Sequence, residues 1–176
     1  SEIFTLNGFD FLKSNLYRKH NITPIINNIL EAQKFIEIFN QTQKVAIQLN
    51  TGMNRLGLDK QSLLENIDIV KSLPLTLILS HLACADDTSN KENKVQKDLF
   101  IKLCKLLPNT RQSISASHGT LLGNEFHFDM VRPGIGLYGG IRNKGLKEVI
   151  QIKVPVLQDF IITVSYTHLT LPTNSN

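Results

Sequence analysis

Short apolar runs alternate with longer amphipathic stretches along most of this chain. Ile3–Leu6 is a short run closed by Asn7-Gly8, which predicts a strand followed by a turn. Asn15–His20 is polar and fits either loop or helix, and Pro24–Asn27 is a second short run. Leu30–Asn40 places Leu30, Phe35, Ile36, Ile38 and Phe39 as a helix packed on a sheet would. Lys44–Leu49 predicts a strand ending at Thr51-Gly52. Asp59–Ser72 opens on a capping aspartate and carries Leu63, Leu64, Ile67 and Val70 on one helical face. Leu75–Leu79 is nearly all apolar, as in a strand buried on both faces. A polar loop at Asp86–Asn93 leads into a predicted helix over Lys94–Leu107. Arg111–Ser115 is strand-like, Ser117–Leu122 is a short turn or helix, and Phe126–Tyr138 is expected to hold the last strand. Strands alternating with helices at a spacing near 30 residues predict βαβ units on a parallel sheet. No internal sequence repeat accompanies that spacing.

The bulk numbers narrow the class. The chain has 176 residues, of which 41% are hydrophobic, enough for a packed core. Nineteen basic and fifteen acidic residues give a net charge of +4 without a basic run, so no nucleic-acid partner is expected. No apolar run approaches the roughly 18–20 residues that cross a bilayer, so no membrane partner is expected either. Cys84 and Cys104 lack paired metal spacing. They read as reduced thiols in a cytoplasmic protein, with no metal site.

Two segments carry the chemistry. Asn50-Thr51-Gly52-Met53-Asn54-Arg55-Leu56-Gly57 and Val131-Arg132-Pro133-Gly134-Ile135-Gly136-Leu137-Tyr138-Gly139 each set one arginine in a glycine-punctuated turn after an apolar run. A guanidinium is a rigid fork of donors that stays charged at physiological pH. Two of them at strand ends describe a site for an anionic, planar ligand.

Together these segments resemble the alanine racemases, which bind pyridoxal 5'-phosphate in a (β/α)8 barrel. The resemblance covers about Ile3 to Gln158. It implies an incomplete TIM-like barrel, because such a barrel typically takes about 250 residues. The first β/α units and a C-terminal β domain are expected to be missing. Residues 1–147 then form part of the N-terminal cofactor-binding barrel, and 148–163 begin the linker into the β domain.

The resemblance also assigns roles. Arg55 matches the arginine near the cofactor's ring hydroxyl that helps hold the substrate carboxylate. Arg132 matches the arginine facing the pyridine nitrogen. His81, in Ser80-His81-Leu82-Ala83-Cys84-Ala85-Asp86, matches a histidine that supports that arginine. Ser117 and the backbone N–H groups of Gly134 and Ile135 match phosphate contacts, and Leu6 matches a pocket leucine. Two positions depart from the family pattern. Gln48 stands where some members carry a carbamylated lysine that orients the first arginine, and Ala116 replaces the asparagine of an Asn-Ser phosphate pair.

The implied reaction interconverts L- and D-alanine in a bacterial homodimer and supplies D-alanine for peptidoglycan. The family's cofactor-bearing lysine, in a Lys-x-x-x-Tyr segment, and its opposite-face tyrosine have no match here. Racemisation by two bases needs one on each face of Cα, so this polypeptide alone is expected to be inactive. A barrel that cannot close leaves two apolar sheet edges, which predicts poor solubility. A non-catalytic pyridoxal-phosphate-binding barrel is the rival reading. The stretch Val164–Thr173 back-translates to a transposase-end sequencing adapter, so residues 164–176 are expected to be a non-native tail.

Overall fold

The computed structural model describes residues 2–141, 145–147 and 149–159. Five parallel strands form one sheet in sequential order: β1 (Ile3–Thr5), β2 (Ile22–Ile26), β3 (Val45–Gln48), β4 (Leu75–Leu79) and β5 (Arg111–Ser113). Between them run α1 (Ser14–Lys19), α2 (Ile29–Phe39), α3 (Lys60–Glu65), α4 (Ile67–Lys71) and α5 (Glu92–Cys104), and α6 (Ser117–Thr120) follows β5. Sequential order with every strand parallel to its neighbour is the topology of a barrel wall. It agrees with the α/β, incomplete-barrel reading.

Alternation along each strand sorts side chains onto two faces. Val45 and Ile47 of β3, with Ile26 and Ile78, join the large core under the helices, where Phe35, Phe39 and Phe100 are fully buried. Ala46, with Ile25, Leu77 and Leu79, forms a smaller cluster on the opposite, concave face. Gln48 lies on that concave side by period-two alternation, 5% exposed at the end of β3. It pairs in register with Leu79, which in turn pairs with Ser113, so three C-terminal strand ends lie side by side.

Local chemistry sets the element ends. Asn28 caps α2 by accepting the Glu31 N–H, while Glu31 accepts from the Asn28 side chain. Glu31 also reaches outward to accept the N–H groups of Asn27 and Phe9. One carboxylate thus ties α2 to the loop after β1. The helix predicted over Asp59–Ser72 is two helices. Asn66 leaves helical geometry at φ −124°, ψ 27° and its side chain donates to the Ser62 carbonyl, the usual competition of an asparagine with the backbone.

The strand expected within Phe126–Tyr138 does not form. That segment makes two backbone bonds to the β5 region, Asp129 N–H to Gln112 O and Arg132 N–H to Ser115 O, and one isolated parallel bridge. Phe128 at φ +51° interrupts the extended path, Pro133 has no N–H to donate, and Ile135–Tyr138 coils into a 3-10 turn. Residues 149–159 are exposed and carry no regular element. The proposed tail, residues 164–176, lies outside the described residues.

Replacing Glu31 with alanine strands two part-buried N–H groups and removes half of a capping box. The expected cost is about 1–3 kcal/mol, measured as a lower denaturation midpoint at unchanged slope.

Candidate functional site

The site sits at the C-terminal ends of the strands, where barrels of this kind place their loops. The loop after β3 closes on itself. Asn50 N–H donates to Leu58 O and Leu58 N–H to Gln48 O, while the Asn50 side chain accepts from the Gly52 and Asn54 N–H groups. Gly57 permits the closure. Its φ is +103°, and a Cβ there would stand 2.9 Å from both the Gln48 oxygen and the Leu49 carbonyl carbon. The loop so folded presents Arg55, exposed, at its outer turn.

Arg132 is held differently. One guanidinium nitrogen donates to the Ser80 carbonyl at 2.6 Å and another to the Ser113 hydroxyl. Ser113 spends its own proton on the Met130 carbonyl at 2.6 Å, so its oxygen is free to accept. Ser80 and Ser113 are buried. Among the described residues the ion pairs are Lys13–Asp10, Lys34–Glu37 and Arg111–Glu2, so no carboxylate neutralises Arg132. Asp129, the nearest candidate in sequence, accepts from the Gln112 N–H instead. Burial pulls the Arg132 pKa down to about 10, which still leaves it charged at neutral pH.

A cavity of about 370 Å³ opens between the two arginines. Leu6, Gln48, Arg55, Leu79, His81 and Arg132 all line it, with Asn7, Leu56 and Ala116. A second cavity of about 240 Å³ shares His81 and Ala116 and adds Met53, Asp86 and His118. Beyond the arginine, the Ser117 hydroxyl oxygen accepts the N–H groups of Gly134 (2.8 Å) and Gly136 (3.0 Å). Nothing lies within 4 Å of a Cβ built on Gly134, and the Ile135 N–H has no bonding partner among the described residues. Ser117, Gly134 and Ile135 therefore form an open turn whose uncommitted donors among the described residues are the Ile135 N–H and the Ser117 hydroxyl proton.

The residues singled out in the sequence thus converge, though two expected contacts are absent. The His81 ring makes no hydrogen bond to Arg132 among the described residues. Arg132 rests on Ser80 and Ser113. Nor does Gln48 hydrogen-bond Arg55 among the described residues; its amide donates to the Leu56 carbonyl at 3.3 Å. Gln48 acts on the loop that carries the arginine. Ser113, Ser80, Thr51 and Gln96 escaped the sequence reading. A serine at an inward position of a strand end was the available signal for Ser113.

The sequence model described as "Alanine racemase, N-terminal domain" matches residues 1–142. The chain belongs to the alanine racemase N-terminal domain family. A curated alanine racemase of Rickettsia akari is 33% identical over 162 residues, covering 89% of this chain and 45% of that protein. One from Ruegeria sp. is 36% identical over 145 residues, covering 82% of this chain and 41% of that protein. The crystal structure of alanine racemase from Bartonella henselae with covalently bound pyridoxal phosphate superimposes with a TM-score of 0.76 at 34% identity. It is covered over 46% of its length by 84% of this chain. The chain thus spans a little under half the length of these relatives. A histidine racemase from Leuconostoc mesenteroides shares the fold at a TM-score of 0.67 and 25% identity.

His81 has its pKa lowered to about 4, first by burial and then by the charges of Arg132 and Arg55. In the unfolded chain it titrates near 6.5, so between about 4 and 6.5 the unfolded state binds the extra proton. Its contribution to stability is complete above about 6.5 and is lost as pH falls toward 4. Denaturant melts at pH 7 and pH 4.5 are expected to show that loss. His81→Asn is expected to shrink the difference between the two.

Proposed function

We propose that this chain is the cofactor-holding part of an alanine racemase, a pyridoxal-phosphate-dependent isomerase that interconverts L- and D-alanine. The observation that carries this reading is Arg132, a partly buried cation with no carboxylate, aimed by Ser80 and Ser113 at a cavity it shares with Arg55.

The residues fit pyridoxal phosphate. The turn at Ser117, Gly134 and Ile135 offers the Ile135 N–H and the Ser117 hydroxyl proton to a phosphate, and the empty space over Gly134 leaves room for it. Leu6 and Leu79 give the cavity apolar wall for a flat ring. Arg132 would hold the ring nitrogen as a hydrogen-bond donor without surrendering its proton. When bound, the cofactor supplies an electron sink for charge developing on Cα. An arginine at the nitrogen keeps that sink moderate, which favours return of the proton over side reactions. Arg55 takes the substrate carboxylate by bidentate pairing. His81, neutral at working pH, adds no third positive charge.

The relatives carry more than twice the matched length, and we place the two proton-transferring bases, a lysine and a tyrosine, in those further parts. On this reading residues 1–147 belong to the barrel, 148–163 lead toward a β domain, and 164–176 are non-native. The whole enzyme is read as a cytoplasmic homodimer supplying D-alanine for peptidoglycan. Among the described residues no helix is long and apolar enough to cross a membrane, and no group of three metal-ligating side chains occurs. Alanine is favoured over histidine as substrate because the alanine racemase of B. henselae is the nearer in sequence, 34% against 25%.

The test uses the complete reading frame that contains this chain, expressed in a strain that cannot make D-alanine. Growth without added D-alanine is the expected result. Arg132→Ala is expected to lower kcat by about 10²–10³, the usual cost of one charge-stabilising donor at a reacting centre. Cofactor binding without growth would establish the non-catalytic barrel instead.

A further inference from the structure

Behind the sheet, α5 sends two polar side chains into the interior, Asn93 and Gln96. Gln96 is 1% exposed, and all of its bonds go to the loops that carry the site. Its carbonyl oxygen accepts the Ala83 N–H at 2.8 Å. Its amide nitrogen donates to the His81 carbonyl at 3.2 Å and to the Thr51 hydroxyl at 3.4 Å. Those partners fix which end of the amide is oxygen, since a backbone N–H cannot accept and a carbonyl cannot donate.

The chain of protons runs on from there. The Thr51 and Ser80 hydroxyls lie 2.8 Å apart, and the Ser80 hydroxyl donates to the Leu49 carbonyl at 2.7 Å. Ser80 has one proton and has spent it. Thr51 must therefore donate to Ser80, and its oxygen is left to accept from Gln96. Donation runs in one direction, from Gln96 through Thr51 and Ser80 to the accepting Leu49 carbonyl. The same Ser80 offers its backbone carbonyl to Arg132. Thr51 opens the loop that presents Arg55, and Gly52 beside it packs against Gln96, with a built Cβ 3.3 Å from the Gln96 Cγ. The two loops that carry Arg55 and His81 thus meet on one amide.

We propose that Gln96 is a positioning residue, which locks the Arg55 loop to the His81 loop and, through Thr51 and Ser80, sets where Arg132 points. The proposal rests on the cofactor-site reading above for its functional consequence. Its geometry stands apart from that reading. A fully satisfied buried network has one arrangement, whereas an apolar replacement leaves Ala83 N–H, the His81 carbonyl and the Thr51 oxygen short of partners and the two loops free to separate.

The test compares the protein of the complete reading frame that contains this chain with its Gln96→Leu, Thr51→Val and Thr51→Ser variants by two readouts. One is titration of the His81 imidazole by nuclear magnetic resonance. It reports the burial of the ring and the distance of both arginines, the charges that act on it, with Asp86 and His118 across the shared cavity. The other is affinity for added pyridoxal phosphate, followed by its absorbance. Gln96→Leu and Thr51→Val are expected to weaken pyridoxal phosphate about tenfold, equivalent to one lost hydrogen bond. They are also expected to move the His81 titration upward by about half a pH unit. Thr51→Ser, which keeps the hydroxyl, is expected to behave as the parent does. A lower melting midpoint with unchanged titration and affinity would show a merely structural amide and overturn the proposal. A loss in Gln96→Leu without one in Thr51→Val would overturn the relay through Thr51. If Gln96→Leu does not fold, Thr51→Val decides. If the parent takes up no pyridoxal phosphate, the cofactor reading fails, and the His81 titration alone decides the positioning role.

Discussion

Arg132 is a cation held in place by neutral oxygens, and the candidate site is built around that constraint. Removing a guanidinium from water without a carboxylate partner is costly, and the fold offsets the cost with charge–dipole hydrogen bonds that the guanidinium donates to the Ser80 carbonyl and the Ser113 hydroxyl oxygen. Both acceptors sit at the ends of neighbouring strands. Their spacing follows from β4–β5 register, in which Leu79 pairs with Ser113, and from the Ser80 N–H bond to the Ser113 carbonyl at 2.9 Å. A slip of one residue would turn Ser113 away from the concave face and leave the arginine without its second anchor. The sheet register and the direction of the arginine are therefore one property of the molecule.

That dependence explains which parts were legible in the sequence. β3, β4 and α2 were legible because runs such as Leu75–Leu79 and the helical spacing of Phe35 and Phe39 carry a burial signal strong enough to stand alone. The break at Asn66 was not legible, since it turns on a local contest between one amide side chain and the helix backbone. The irregular path of Phe126–Tyr138 depends on a left-handed Phe128 and on only two bonds to β5, neither visible as hydropathy. Arg55 and Arg132 stood out because glycine-flanked arginines are conspicuous. Ser113 and Gln96 did not, because a buried serine on a strand and a buried glutamine on a helix look like ordinary polar residues until their partners are known.

The departures at Gln48 and Ala116 look different once their surroundings are seen. Gln48 cannot carry a carbamate, and its amide is already engaged with the Leu56 carbonyl. The shape of the Arg55 loop comes from backbone closure at Leu49 and Leu58 and from the tight approach at Gly57. Orientation of Arg55 thus passes from a side-chain anion to the fold of the loop. Ala116 removes a side-chain amide from the donor turn, yet Ser117 still gathers two backbone N–H groups on one oxygen. Those two N–H groups are committed to Ser117, so the donors the turn keeps for an anion without the asparagine are the Ile135 N–H and the Ser117 hydroxyl proton.

Charge accounts for the remaining design of the cavity. Arg55 and Arg132 both line it, and none of its lining residues is acidic. A third positive charge at His81 would raise the cost of the empty site further. Burial together with the two arginines prevents it by pulling that imidazole down to about 4. The same three groups that make a free proton unwelcome make an anion welcome. A ligand bringing a phosphate to the Ser117 turn, a lone pair to Arg132 and a carboxylate to Arg55 would relieve each unmatched donor at once. Two cations and no acid among the lining residues therefore make the cavity electrostatically better suited to an anionic ligand than to a neutral or cationic one.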